Sequence, residues 1–115
     1  MKRALSIVIL AAILLSLCAC GSKRMNGISD RAYDLGLAAL ETADDFIAGK
    51  IDAATALDKL EYAGDLVDNC DGENDFYVSS GIDFIIFAIE DKDDGTGTMS
   101  EVEDKVEYLE GILGE

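Results

Sequence analysis

Four apolar stripes, each repeating at helical spacing, limit what most of this chain can fold into. Tyr33, Leu37, Leu40, Ala43 and Ile47 recur at intervals of four, three, three and four, which gathers them on one face of a helix. Ala56, Leu57, Leu60, Ala63, Gly64 and Val67 form a second stripe, and Val102, Val106, Leu109 and Leu113 a last one, with Ile112 and Met99 beside it. Between these two lies Asp75–Asp91, which contains the run Ile82-Asp83-Phe84-Ile85-Ile86-Phe87-Ala88-Ile89. Its β-branched and aromatic content would suit a buried strand. No second strand candidate exists, however, to pair its backbone groups. Val78, Ile82, Ile85 and Ile89 also fit helical spacing, with Ser79, Asp83 and Glu90 as a thin polar seam. The segment therefore reads as a mostly buried central helix. With no proline anywhere, nothing forces a kink in any of the four.

The breaks between stripes are marked by turn chemistry. Ser29 is placed to cap the first helix, with Asp30 in its first turn and Ile28 and Tyr33 set to staple it. Gly49 suits a left-handed stop, and Asp52 caps the next helix after only Gly49-Lys50-Ile51. So short a connection makes the first two helices antiparallel neighbours, and Ala43, Ala56, Ala63 and Gly64 allow their axes to approach closely. Asn69–Asn74 is a turn by composition, and Lys92–Met99 is a Gly-rich acidic loop. Ser100-Glu101-Val102-Glu103 then has the form of a capping box. The expectation is an all-α domain over residues 28–115, a small bundle of four helices made of two helical hairpins.

Ahead of this domain stand Met1-Lys2-Arg3 and fourteen residues, Ala4 to Leu17, whose only polar members are Ser6 and Ser16. A basic start and a short apolar core are the marks of a secretory signal peptide, and the run falls short of the roughly 20 apolar residues that span a bilayer. Leu17-Cys18-Ala19-Cys20 resembles the lipobox of bacterial lipoproteins: Leu17 at −3, Ala19 at −1 and Cys20 at +1. The resemblance implies a signal peptide over 1–19, a diacylglycerol on the Cys20 sulfur, and anchoring on the extracytoplasmic face of a cell membrane. Residues 20–27 would then be the lipidated cysteine and a short polar tether.

Composition narrows the function. With Lys2 and Arg3 removed, seven of the nine basic residues remain against 24 acidic ones, a formal −17. That balance disfavours nucleic acid, whose phosphates demand Lys and Arg, and an anionic bilayer surface; it favours cations or a basic partner. There is no His, so the commonest general base at neutral pH is missing. Cys18 leaves with the signal and Cys20 is assigned to lipid, so Cys70 has no partner for an intramolecular disulfide and reads as a semi-buried small hydrophobe. No cofactor is implied.

Two candidate sites remain. Glu90–Glu101 spans twelve residues with Asp94 at position five, Gly95 at six and Glu101 at twelve, which resembles an EF-hand calcium loop. Glu90, Asp94, Thr96 and Glu101 would supply oxygens, but Lys92 puts a cation at position three and Gly97 replaces the aliphatic residue at eight. The expectation is, at most, weak binding of a divalent cation or a basic ligand through residues 90–101. Tyr62 and Tyr77 are the side chains singled out as partner contacts. The reading that fits these features is a non-enzymatic, lipid-anchored surface module presenting an acidic helical domain to an unknown protein or basic partner. The layout also resembles small acidic helical surface lipoproteins of phage origin that block superinfection, a likeness of layout that carries over no functional residue.

Overall fold

The computed structural model describes residues 24–115, which form four α-helices: α1 (Asp30–Ile47), α2 (Ala53–Asp68), α3 (Asp75–Asp94) and α4 (Met99–Leu113). No strand occurs among the described residues, and the all-α reading holds. The signal segment and Cys20 lie outside the described residues. Each helix packs against the next in sequence, α4 closes the ring against α1, and α1 touches α3 across the middle while α2 and α4 do not meet. This is the order that two consecutive antiparallel hairpins produce when their connections are short.

The core is aliphatic. Leu60, Val67, Val78, Ile82, Ile85, Ile89, Val102, Leu109 and Leu113 are each almost wholly removed from water, and full burial of such a side chain contributes about 1.5–3 kcal/mol. The stripes expected of α2, α3 and α4 are the ones buried, except that Leu57 of α2 is half-buried. In α1 the buried face is turned toward Ala32, Gly36, Ala39, Leu40 and Ala43, leaving Tyr33, Leu37 and Ile47 half-buried at its flanks. Small residues win the centre because they let the neighbouring helices come close. A Cβ added at Gly36 would stand 2.7 Å from Leu113 Cδ1 and 3.2 Å from Val78 Cγ1.

Ser29 and Asp52 cap their helices as expected. The Ser29 hydroxyl accepts from the Ala32 amide, and the Asp52 carboxylate accepts from Thr55 N at 2.8 Å. That backbone hydrogen bond, with a further one from the Thr55 side chain, holds the Asp52 carboxyl below its ordinary range. Gly49 adopts φ +76° just past α1.

Two boundaries differ from expectation. The third helix runs on to Asp94, where Gly95 at φ +81° ends it. Thr98, rather than Ser100, caps the last helix, its hydroxyl accepting from Glu101 N at 3.3 Å. Thr98 and Glu101 have the same Ser/Thr-to-Glu spacing as Ser100 and Glu103. Starting two residues earlier also lets Met99 pack against the core.

Candidate functional site

The segment that leads in from the N-terminus is fastened to one end of the bundle. Met25 N donates to Ile112 O at 2.8 Å, Asn74 N donates to Gly27 O at 3.0 Å, and the Asn74 side-chain amide donates to Asn26 O at 2.7 Å. Arg24 pairs with Asp30 at 2.6 Å and lies over the Tyr33 ring, 4.8 Å from its centroid. The Tyr33 hydroxyl donates to Glu115 at 2.7 Å. At the centre of this junction is Asp75, a buried carboxylate that no sequence pattern singled out. It accepts from Ser29 N at 2.8 Å, from the Ser29 hydroxyl at 2.7 Å and from Gly72 N at 2.7 Å. Burial pushes its carboxyl up, but the Ser29 hydroxyl, the Ser29 amide and the Gly72 amide outweigh that and hold it below the ordinary range. It is therefore ionised and fully engaged near neutrality.

At the opposite end, residues 90–101 do not form one loop. Glu90 and Asp94 belong to the last turns of α3, Thr96 to the connection, and Glu101 to the first turn of α4. The Thr96 hydroxyl and the Thr96 and Gly97 amides all donate to Asp91 O, closing the helix end. Among the described residues, no group of three or more His, Cys, Asp or Glu side chains is arranged to hold a metal ion.

The most distinctive surface is the outward face of α3. Its isoleucines turn inward and its phenylalanines outward: Phe76 is 57% exposed, Phe84 41% and Phe87 58%. Asp83 lies in the same strip, one turn before Phe87. Thus the expectation of a mostly buried helix holds for the aliphatic side chains and fails for Phe84 and Phe87. From α4, Tyr108 (42% exposed) meets the Phe84 ring edge-on, centroids 5.5 Å apart. Lys105 Nζ stands 5.7 Å from the centroid of Phe84. From α2, Tyr62 is 68% exposed, one turn before Asp65. Asp68 accepts from the Ser79 hydroxyl at 2.6 Å. Partial burial, then the charges of Asp68 and Asp65, raise the Asp83 carboxyl above its ordinary range. Negative charge from Asp65 and Asp68 thus acts on Asp83 where α2 meets the aromatic strip.

Of the two tyrosines expected to meet a partner, Tyr62 is on the surface and Tyr77 is half-buried, its ring tilted against Phe76 with centroids 4.1 Å apart and packed on the core. Phe76, Phe84, Phe87 and Tyr108 were not singled out from the sequence. Phe87 falling one turn from Asp83 was the available signal. Cys70 is half-buried, with its Sγ 3.4 Å from Leu66 O. No described helix is long and apolar enough to cross a membrane. No family model matches this chain, and neither does any curated protein or solved structure.

Proposed function

We propose that this protein is a membrane-anchored, non-enzymatic extracytoplasmic lipoprotein that presents the acidic, aromatic face of α3 to a macromolecular partner. The observation that carries the reading is the exposure of Phe76, Phe84 and Phe87 on one strip of a helix whose aliphatic side chains are buried. Exposed aromatic side chains rimmed by polar ones are the usual composition of protein-binding surfaces. The lipobox resemblance at Cys20 supports the anchor, and two acyl chains suffice for stable attachment. The buried carboxylate, Asp75, is held ionised by three donors, which suits a structural lock and leaves it no proton to give.

Anchoring also fixes which end faces the bilayer. From Cys20 to Met25 an extended chain reaches at most about 17 Å, and Met25 is tied to the end of α4. The end of the bundle carrying Asp75 and Phe76 then stands next to the membrane, and the α3–α4 connection points away. Two experiments test the reading. Cys20→Ala should move the protein from the membrane to the soluble fraction of fractionated cells. A photo-crosslinking side chain at position 87 should give a discrete adduct in intact cells, and one at Glu41, on α1, should not. Retention of Cys20→Ala on the membrane removes the anchor, and equal labelling from both positions removes the interaction face.

A further inference from the structure

We propose that the occupant of the α3 face is a cationic amphipathic segment of another protein, its apolar side chains laid along Phe76, Phe84 and Phe87 and its Lys or Arg residues turned toward α2. The proposal rests on the interaction reading above and adds the chemistry of the partner. The face is asymmetric. On the α2 side Asp68 accepts from Ser79 of α3, and its charge and that of Asp65 act on Asp83 inside the strip; on the α4 side stand Tyr108 and the cation Lys105. Carboxylates that crowd one another are relieved by a positive charge placed among them. Lys105 already shows the aromatic half of the arrangement, with its ammonium over the Phe84 ring, the position in which a partner's Arg or Lys would be attracted to Phe87 or Phe76. A basic segment with one apolar side satisfies both halves together, as amphipathic helices do in grooves of opposite charge.

The other occupants fit less well. A second copy would bring another Asp65, Asp68 and Asp83 against the first set, and each chain carries a formal −15, or −17 without Lys2 and Arg3, so like charges oppose a symmetric contact. An anionic bilayer is repelled for the same reason.

The test uses the full chain, produced in cells and reconstituted in zwitterionic lipid nanodiscs, with fluorescently labelled synthetic peptides of leucine and lysine as probes. One peptide is ordered to give an amphipathic helix. A second has the same composition in scrambled order, and a third replaces lysine by glutamate. We expect saturable binding of the first, at least tenfold weaker binding of the other two, and weakening with added salt. Phe76→Ala with Phe87→Ala should cost tenfold or more, and so should joint neutralisation of Asp65, Asp68 and Asp83 to Asn. Neutralising Asp34, Glu41 and Glu103, which removes as many charges from elsewhere, should change binding less than threefold. An unchanged melting temperature in the phenylalanine variant shows that loss of binding is not loss of fold. Equal binding of the ordered and scrambled peptides, indifference to the phenylalanines, or equal loss in both neutralised variants would each overturn the proposal. So would a dimer in sedimentation that Phe87→Ala dissolves, or transfer of the protein to empty vesicles through this face. An adduct from position 87 in cells together with no binding of the ordered peptide would reject the partner's chemistry and leave the interaction face standing. The absence of both would reject the two together.

Discussion

Replacing Asp75 by Ala should be among the most damaging single changes in the molecule, although it touches no part of the aliphatic core. The substitution removes the acceptor for Ser29 N, the Ser29 hydroxyl and Gly72 N. Hydrogen bonds to a charged group contribute about 1.5–3 kcal/mol each, and donors left unpaired cost about 1–3 kcal/mol. Three times that range overstates the loss, because Ser29 and Gly72 are only half-buried and water reaches them, and because the carboxylate's own desolvation is recovered. A net cost of about 3 kcal/mol is the result, against a total of about 5–15 kcal/mol for a domain of this kind. That corresponds to a fall in melting temperature of roughly 10–20 °C. The pH dependence identifies the cause. A carboxyl held below its ordinary range contributes stability that is present above the unfolded value, about 3.9, and is lost as pH falls through the folded one. The difference between Asp75→Ala and the parent in urea unfolding should therefore be full at pH 7 and shrink progressively below about pH 4. Ser29→Ala should cost about 1–2 kcal/mol by itself through the lost cap. With both replaced, the total should fall short of additivity by about 1 kcal/mol. A parent-like Asp75→Ala at pH 7, or the same deficit at pH 3 as at pH 7, refutes this account of the junction.

Four further outcomes follow from the packing and charge. Gly64→Ala should stabilise by about 0.5–1 kcal/mol, since the new Cβ meets Ile82 at an ordinary 3.6 Å. Gly36→Ala should destabilise by about 1–2 kcal/mol, because its Cβ would fall 2.7 Å from a buried Leu113 methyl; paired urea melts decide both. The raised Asp83 carboxyl opposes folding as it ionises, so Asp83→Asn should raise the melting temperature at pH 7 by roughly 1–4 °C at low salt. That gain should vanish near pH 3 and shrink in 0.5 M salt, and a loss of stability at pH 7 would contradict it. Calcium and magnesium should shift the melting temperature alike, with apparent affinity no better than about millimolar; calcium-selective micromolar binding abolished by Glu101→Gln in calorimetry would restore residues 90–101 as a site.

Much of the fold was legible because its signals are local. Ser29 and Asp52 sit one residue ahead of an apolar period, and a cap needs nothing beyond its own first turn. Where two local signals competed, as Thr98 and Ser100 did before the last helix, spacing favoured neither and the packing of Met99 set the boundary. The rotation of α1 was hidden for a related reason. A stripe of large side chains reads as the core face, yet the face in the centre here is small, and only the presence of Leu113 and Val78 opposite Gly36 explains it. Asp75 was less legible still, since its three donors lie forty-six and three residues upstream and meet only after the first and third helices have docked.

The aromatic face shows why a hydrophobic period and a functional surface can share one stretch. Residues Ile82 to Ile89 hold enough apolar side chains to cover more than one side of a helix, and three other helices stand among the described residues to cover them. Three neighbours around α3 bury Ile82, Ile85, Ile86 and Ile89, and among the described residues the side that holds Phe84 and Phe87 is left partly exposed. Polar residues there would make a more soluble bundle, as they do on the outward sides of α1, α2 and α4. Exposed phenylalanine contributes little to the stability of the isolated domain and adds a hazard of association. Its placement on the strip that holds Asp83, on whose carboxyl Asp65 and Asp68 act, sets negative charge nearby that opposes a symmetric contact between two copies. On the proposed reading, aromatic surface that stays exposed among the described residues and lies beside like charges is where a partner of opposite charge would dock.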